Sequence, residues 1–243
     1  MATTMKSVVL FCFIASFTVI SAQVQDCNVP SRFWCENKDI AAKCGVLEQC
    51  QKFEWTETNQ KVEFVLYYES LCPDCRQFIT EMLYPHYSNL SSIMNLTLVP
   101  YGNAQERKVG DKWVFECQHG EQECIGNLIE TCAIALVKDI TKYFPFINCM
   151  EKSYKQPEEA AKQCSTSFAV PLEDILKCSK SDFGNKLEHE MAAKTDALEP
   201  SHQYVPWITV NGVHTEDIQK EAQDNIVKLI CDTYKGTKPQ ICK

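Results

Sequence analysis

The sequence predicts an α/β fold with a disulfide-rich helical insertion and a small disulfide-stapled segment at the N-terminus. A β-branched and aromatic run at residues 62–68 precedes Cys72-Pro73-Asp74-Cys75, and apolar residues at helical spacing follow it. This order predicts a strand, a turn and a helix. Far downstream, Asn211-Gly212 lies between two short apolar segments and indicates a tight hairpin. The chain of 243 residues contains 15 cysteines, too many for a reduced cytosolic protein of ordinary composition.

The first residues predict entry into the secretory pathway. Lys6 precedes an apolar run at residues 8–15, and the small residues Ser21-Ala22 precede the polar Gln23. We therefore expect a signal peptide over residues 1–22. The apolar run is too short for a membrane span, and no later segment reaches about 18 apolar residues, so we expect no stable membrane insertion.

The remaining composition is typical of a secreted glycoprotein. Loss of Cys12 with the signal peptide leaves an even number of cysteines. The formal net charge of −8 argues against nucleic acid as a partner. The sequons Asn89-Leu90-Ser91 and Asn95-Leu96-Thr97 predict glycosylation at Asn89 and Asn95. These features leave the oligomeric state open.

Residues 23–57 are interpreted as a separate cysteine-rich segment. Its cysteines lie in a stretch too small to bury a core, so we expect the segment to depend on disulfides. The residues that carry its pattern are Cys27, Trp34, Cys35, Ala41, Cys44, Gly45, Cys50 and Trp55. The pattern resembles the A-type saposin segment, which implies a sorting or processing element of lysosomal precursors. A disulfide knot that only caps the next domain is the alternative.

Residues 58–243 predict a thioredoxin-like order of elements. The first strand, a helix from Cys72 to about His86 and a second strand around residues 93–100 form a βαβ unit. A hairpin within residues 204–214 and a terminal helix follow. The terminal helix places on one face Ile218, Ala222, Ile226, Leu229 and Ile230.

The stretch from about residue 104 to 201 predicts a helical insertion held by disulfides. Apolar stripes favour helices at 125–143 and 157–164. Eight cysteines in the insertion and the C-terminal region are expected to form four structural bridges, among about 105 possible connectivities. They are Cys117, Cys124, Cys132, Cys149, Cys164, Cys178, Cys231 and Cys242.

The motif Cys72-Pro73-Asp74-Cys75 predicts a catalytic redox dithiol. A helix N-terminus offers unpaired N–H groups and the positive end of a dipole, which stabilise a thiolate at Cys72. We expect Cys72 to be exposed and to act as the nucleophile, and Cys75 to resolve the mixed disulfide. Half of a zinc site or a structural bridge is the alternative. The sequence has no second C-x-x-C, so we expect no metal site.

The insertion contains a second motif, C-Q-H-G-E-Q-E-C-I-G-N-L-I-E-T-C at residues 117–132. Together with the upstream C-x-x-C, it resembles the signature of the gamma-interferon-inducible lysosomal thiol reductase family. The resemblance covers roughly residues 60–243. It implies a thioredoxin-like fold and reduction of disulfides in endocytosed proteins at acidic pH. Disulfide-containing proteins are then the partners, and the location is lysosomal and/or secreted.

Two further residues stand out. Pro206 begins the strand that should face the dithiol, so we expect a cis peptide bond there and a role in binding extended substrate. His119 invites a general-base or metal assignment, but the flanking Gly120 and the cysteines around it favour a role in a tight, disulfide-bonded turn.

Acidic pH makes the pKa of Cys72 decisive. An unperturbed thiol of pKa ~8.5 is almost entirely protonated at about pH 5. We expect the helix N-terminus and Arg76 to lower the pKa of Cys72 below ~7, and an ionised Asp74 nearby to oppose them. No cofactor is expected, because the chain has no nucleotide-binding fingerprint and an external thiol can restore the dithiol.

Two other functions stay open at this level. The dithiol could oxidise or isomerise clients in the secretory pathway, although no retention signal of the KDEL type follows Ile241-Cys242-Lys243. A non-enzymatic, disulfide-stapled binding protein with a permanently bridged C-x-x-C is the alternative from another class.

Overall fold

The structure is a computed structural model that describes residue 27 and residues 30–51 and 60–243. These residues fall into two units, with the division between positions 56 and 57. The predicted signal peptide and Trp55 lie outside the described residues. Within the described part, no helix combines the length and the apolar character that a membrane span requires.

The first unit is small and is stapled by two disulfides. It contains a 3-10 turn at Ser31–Phe33 and the helices α1 (Lys38–Lys43) and α2 (Leu47–Gln49). Asn37 caps α1, and its side chain accepts the N–H of Ile40 at 2.9 Å. The pairs are Cys27–Cys44 and Cys35–Cys50. Their presence confirms the expected disulfide-stapled segment.

A three-stranded sheet forms the centre of the second unit. Its strands are β1 (Val62–Tyr68), β2 (Met94–Pro100) and β5 (Trp207–Val210), in the order β2-β1-β5. β1 runs parallel to β2 and antiparallel to β5. Side chains of β1 alternate between buried and half-buried, as the period of two predicts. With the helix between β1 and β2, this topology agrees with the thioredoxin-like prediction.

The helix after β1 is longer than expected. It consists of α3 (Pro73–Gln77), a π-helical stretch (Phe78–Leu83) and α4 (Tyr84–Leu90), whereas the prediction ended near His86. Pro85 has no N–H and its ring crowds the carbonyl one turn before it. The wider π-helical turns immediately before α4 accommodate this ring and allow the helix to continue.

The predicted hairpin near the C-terminus is only partly formed. Asn211 and Gly212 have positive φ (51° and 77°), which fits a two-residue turn, but only one bridge, Val210 to Val213, follows it. The prediction of a second strand after the turn is therefore wrong. Thr215 caps the next helix, α10 (Glu216–Thr233), and leaves too few residues for a strand.

The insertion begins with a β-hairpin that the sequence analysis missed. Its strands are β3 (Gln105–Val109) and β4 (Lys112–Glu116). The expected helix over 125–143 is also interrupted, because Lys138 is left-handed (φ 60°) and Asp139 caps a new helix. The helices are α5 (Glu121–Val137), α6 (Ile140–Lys152), α7 (Pro157–Phe168), α8 (Leu172–Ser179) and α9 (Asp182–Asp196).

Four disulfides hold the second unit, which confirms that the eight cysteines pair among themselves. The bridges are Cys117–Cys124, Cys132–Cys178, Cys149–Cys164 and Cys231–Cys242. Buried aromatic rings add to this support: Tyr84 and Tyr87 both contact Phe144 edge-on, at centroid distances of 5.3 and 5.2 Å. The helix after the dithiol is thereby packed against the insertion.

We expect loss of a structural disulfide to lower stability before it affects chemistry. The bridge Cys132–Cys178 spans 46 residues and Cys117–Cys124 spans 7, so chain entropy predicts losses of about 4 and about 2 kcal/mol on removal. Urea unfolding of the two double-alanine variants measures these losses. The prediction is wrong if either variant keeps full stability and loses activity selectively.

Candidate active site

Cys72 and Cys75 lie at the start of α3 and are the only cysteines among the described residues outside a disulfide. Cys72 is the N-cap residue, and its sulfur accepts the N–H of Cys75 at 3.4 Å. Pro73 occupies the first turn, where no N–H is required. The motif therefore places one thiol on the cap and the other one turn into the helix.

The two thiols differ in burial. Cys72 is 6% exposed and Cys75 is fully buried. The expectation of an exposed Cys72 is therefore wrong, although it remains the more accessible of the two. The reason is the loop before β5, since the carbonyl oxygen of Val205 lies 4.0 Å from the sulfur of Cys72.

The surroundings shift the two thiol pKa values in opposite directions. The Cys75 thiol and the backbone N–H groups of Cys75 and Asp74 lower the pKa of Cys72, while burial and the charge of Glu69 oppose them. Burial and the neighbouring Cys72 sulfur strongly raise the pKa of Cys75. Cys72 is thus the thiol that ionises first, as an attacking group requires.

Pro206 lies in the loop that faces the dithiol. The bond between Val205 and Pro206 is cis, as expected from the sequence. Gln219 of α10 fixes this loop from behind, because its side chain donates to the carbonyl of Pro206 at 3.0 Å and accepts the N–H of Ile208 at 3.0 Å. The start of α3 and the loop before β5 therefore bring Cys72, Cys75 and Pro206 to one place, with α10 supporting the loop.

Arg76 does not support the Cys72 thiolate, contrary to expectation. Its guanidinium donates to the backbone carbonyl of Glu151 at 2.7 Å and to that of Ser153. Arg76 extends from α3 towards the end of α6 and ties the two helices together. The groups that lower the pKa of Cys72 are local ones in the first turn of α3.

Two buried carboxyl groups lie near the dithiol. Tyr68 donates its hydroxyl to Glu130 at 2.6 Å, and Glu151 is a second buried carboxyl group whose charge interacts with that of Glu130. Burial raises the pKa of Glu130 to about 7 and also raises that of Glu151. The carboxyl of Glu151 also contributes to the raised pKa of Cys75. Sequence reasoning missed both residues, because neither belongs to a local pattern with the cysteines.

A surface cavity of about 580 Å³ adjoins the motif. Leu71, Pro73 and Arg76 form the wall next to the dithiol. Tyr154 also lines the cavity, is 99% exposed and lies near Arg76, whose Cζ is 5.7 Å from the ring centroid. The cavity offers an aromatic and polar surface beside the thiols.

Residues of the motif at 117–132 contact the loop between β1 and Cys72. Asn127 accepts the N–H of Ser70 at 2.9 Å, and the Ser70 hydroxyl donates to the carbonyl of Glu123 at 3.1 Å. Gly126 approaches so closely that an added Cβ would lie 2.3 Å from the Ser70 oxygen. The motif in α5 thus holds the dithiol loop by direct contact, which its position in sequence does not indicate.

His119 contacts two buried carboxylates. Its Nδ1 lies 2.5 Å from an oxygen of Glu123 and 3.3 Å from an oxygen of Glu69. Burial, more than any other cause, raises the pKa of Glu69 to about 7. The expected turn is present, because the Cys117–Cys124 disulfide closes the loop that carries His119.

The two predicted glycosylation sites are exposed. Asn89 lies on α4, and Asn95 lies on β2 with its side-chain amide donating to Glu63 at 2.7 Å. Both side chains are accessible to a modifying enzyme, and glycosylation at these positions remains a prediction.

Two family models match the chain. The model described as gamma interferon inducible lysosomal thiol reductase matches residues 63–168, and the saposin A-type domain matches residues 24–56. Both matches agree with the resemblances in the sequence.

Named relatives match over most of the chain. The Gamma-interferon-inducible lysosomal thiol reductase of Carassius auratus is 47% identical over 97% of this chain and 92% of its own length. The protein of the same name from Mus musculus is 41% identical over 74% of this chain and 71% of its own length. Among solved structures, Chlamydia trachomatis DsbA aligns with a TM-score of 0.49 at 11% identity, over 68% of this chain and 86% of that chain.

Proposed function

We propose that this chain, which belongs to the gamma-interferon-inducible lysosomal thiol reductase family, reduces protein disulfides at acidic pH through Cys72 and Cys75. Its family makes it a thiol-disulfide oxidoreductase. One observation carries the proposal. Two unbonded thiols share the first turn of a helix, and their pKa values are shifted apart. This division suits an attacking thiol and a resolving thiol.

In the first step, the Cys72 thiolate attacks one sulfur of a substrate disulfide. The substrate S–S bond breaks, a mixed disulfide to Cys72 forms, and the other substrate sulfur leaves as a thiolate that takes up a proton. The N–H of Cys75, 3.4 Å from the sulfur, stabilises the attacking charge.

In the second step, Cys75 loses its proton and attacks the Cys72 sulfur. The mixed disulfide breaks, the second substrate thiol is released, and a Cys72–Cys75 disulfide forms. Two electrons have then passed from the enzyme to the substrate. The raised pKa of Cys75 keeps this thiol protonated until the mixed disulfide removes the charge on Cys72. An external thiol must return the two electrons, and we propose that no bound cofactor takes part.

The loop at Val205 and Pro206 supports a role in substrate binding. The Val205 carbonyl is 4.0 Å from the attacking sulfur, so a polypeptide placed against this loop brings its disulfide next to Cys72. The adjoining cavity at Arg76 and Tyr154 can take neighbouring side chains of the substrate. We propose disulfide-containing proteins as substrates and a lysosomal or secreted location.

The direction of electron flow is open to a direct test. A stabilised thiolate also favours the reduced form of a dithiol, which is the property of an oxidant. The two directions differ in the redox potential of the Cys72–Cys75 pair. A reductase needs a potential below that of its client disulfides, and equilibration with glutathione mixtures measures it.

A single-turnover assay tests the proposed function without knowledge of the electron donor. Protein reduced beforehand and freed of reductant is mixed with insulin from about pH 4 to about pH 7, and released insulin thiols are counted. We expect one insulin disulfide reduced per chain, including at about pH 5. Reduction only near neutral pH contradicts the acidic part of the proposal, and no reduction at any pH contradicts the function.

A further inference from the structure

Three ligand-type atoms converge beside the dithiol loop. They are carboxylate oxygens of Glu69 and Glu123 and the Nδ1 of His119, all within 4.8 Å of one another. Nδ1 lies 3.3 Å from the Glu69 oxygen, and two ligands of a tetrahedral Zn²⁺ at ~2.1 Å are separated by about 3.4 Å. The imidazole nitrogen and the Glu69 oxygen therefore have the spacing of two ligands, whereas Nδ1 and the Glu123 oxygen, 2.5 Å apart, would have to separate by about 1 Å to hold the same ion.

Backbone groups fix both carboxylates in this orientation. The N–H of Asn103 donates to Oε1 of Glu69 at 2.7 Å, and the N–H of His119 donates to Oε1 of Glu123 at 2.9 Å. Each carboxylate thus presents its other oxygen, Oε2, to the imidazole. Hydrogen bonds of this kind to the non-ligating atom orient ligands in metal sites.

The cluster has more acceptors than donors. The side chains of Glu69 and Glu123 are fully buried, and Oε2 of Glu69 has no hydrogen-bond partner. The Nδ1 of His119 can donate only one hydrogen, and its shorter contact is to Glu123 at 2.5 Å. Among the described residues, no lysine or arginine forms an ion pair with either carboxylate. Buried carboxylates without a cation are costly, so the site calls for a positive charge.

We propose that Glu69, His119 and Glu123 form a binding site for a divalent metal ion, with Zn²⁺ as the ion that the donors suit. One imidazole nitrogen and two carboxylate oxygens match the ligand types of three-ligand zinc sites, which leave a position for water. His119 is 34% exposed and gives the ion a path from solvent. The sequence analysis expected no metal and favoured a turn over a metal role for His119, because nothing in the sequence indicates that Glu69 lies beside His119.

The test must exclude the nearby thiols, which also bind zinc. The N–H of Cys72 donates to the Glu69 carbonyl at 3.3 Å, so the dithiol and the cluster are adjacent. The full-length protein with Cys72→Ser and Cys75→Ser is therefore the background. It is treated with a chelator, titrated with Zn²⁺ by calorimetry, and titrated with Co²⁺ by visible absorption. We expect one ion per chain and a rise in the unfolding temperature with Zn²⁺.

The Zn²⁺ affinities of Glu69→Gln and His119→Ala show whether the ion binds at this cluster. Each should weaken Zn²⁺ binding by about tenfold or more, since each removes a ligand. Glu69→Gln keeps the shape and the acceptor for Asn103, so it tests the site even if His119→Ala fails to fold. His189→Ala is the matched control, because His189 is 33% exposed and pairs with Glu106 at 2.7 Å. It should leave binding unchanged.

Absence of Zn²⁺ binding in the protein with both cysteines replaced overturns the proposal. Protons shared among Glu69, His119 and Glu123 then stabilise the cluster without a metal ion. Binding that Glu69→Gln leaves at full strength also overturns it, because the ion must then lie elsewhere. Loss of binding in Glu69→Gln, together with retention in His189→Ala, supports the site. These readouts do not depend on disulfide reduction, so they remain valid if the proposed function fails.

Discussion

Replacing Cys72 with serine is expected to abolish disulfide reduction, with a loss of about a thousandfold or more. A serine hydroxyl is not ionised near neutral pH and cannot form the mixed disulfide that begins the reaction. The expected loss is large because no other described thiol is available: the other cysteines of the second unit are in disulfides, and Cys75 is fully buried.

Replacing Cys75 with serine should give a different result. Cys72 can still attack, but nothing resolves the mixed disulfide, so the protein should remain bound to its substrate. Non-reducing gels of each variant with insulin distinguish the two outcomes, and a reductant should release the trapped species. Asp74→Asn is the matched control within the motif, since Asp74 is exposed, and we expect it to keep activity.

A result in which Cys72→Ser still reduces insulin contradicts the assignment of the nucleophile. Trapping by Cys72→Ser but not by Cys75→Ser would reverse the two roles. Both outcomes are visible in one gel, because the trapped complex migrates at the summed mass of the two proteins.

Elements that depend on neighbours in sequence were predicted well. The run at 62–68 is β1 with the expected alternation, and Cys72 caps the following helix because the motif combines a cap, a proline and a turn of helix. The cis bond before Pro206 also follows from the predicted order of elements. These features are local or follow from a familiar topology.

Features that depend on distant contacts were missed. Glu69 and His119 are far apart in sequence, and only the fold brings them within 3.3 Å. Arg76 was expected to lower the pKa of Cys72 because it is close in sequence. In the structure its guanidinium instead donates to the backbone carbonyl of Glu151. The pairing of the eight cysteines was open for the same reason, since spacing does not determine which helices meet.

The β3–β4 hairpin was missed for a different reason. Most of its residues are exposed, and the half-buried ones are Glu106, Trp113 and Phe115, of which only the last two are apolar. A two-stranded ribbon with so few apolar positions has a weak alternating pattern, and the helical periodicity of the neighbouring sequence is stronger. The Gly110 turn, with φ of 63°, was the remaining indication.

The largest expected pH effect concerns the rate at which Cys72 is alkylated. Its pKa is lowered, so iodoacetamide should modify the reduced protein with a midpoint below that of an ordinary thiol at ~8.5. The thiolate is the reactive form, so the rate falls as pH drops through the Cys72 pKa, and a lower pKa moves this fall towards acid. A lower pKa also reduces nucleophilicity, with a Brønsted slope of about 0.4–0.5, but over several pH units the gain in thiolate is larger.

Two variants at position 75 identify the source of the shift. The Cys75 thiol makes the largest contribution to the low pKa of Cys72. Cys75→Ala removes this donor and should move the midpoint upward, whereas Cys75→Ser keeps a hydroxyl donor and should retain the low midpoint. A hydrogen bond to a charged group is worth about 1.5–3 kcal/mol, which is a factor of about 10–150 in the population of thiolate. The higher nucleophilicity of the less acidic thiol offsets roughly half of this effect on a logarithmic scale, so below the midpoint Cys75→Ala should react about 4–20 times more slowly.

Asp74→Asn should leave the midpoint unchanged, because the exposed Asp74 side chain is not among the groups that shift the Cys72 pKa. All rates are measured in a chelating buffer, so that no metal ion contributes to the charge near Glu69. A wild-type midpoint near 8 contradicts the acidic reductase and leaves only the fold. Midpoints of Cys75→Ala and Cys75→Ser that both stay at the wild-type value would show that the first turn of α3, through its backbone N–H groups, lowers the pKa without help from the second thiol.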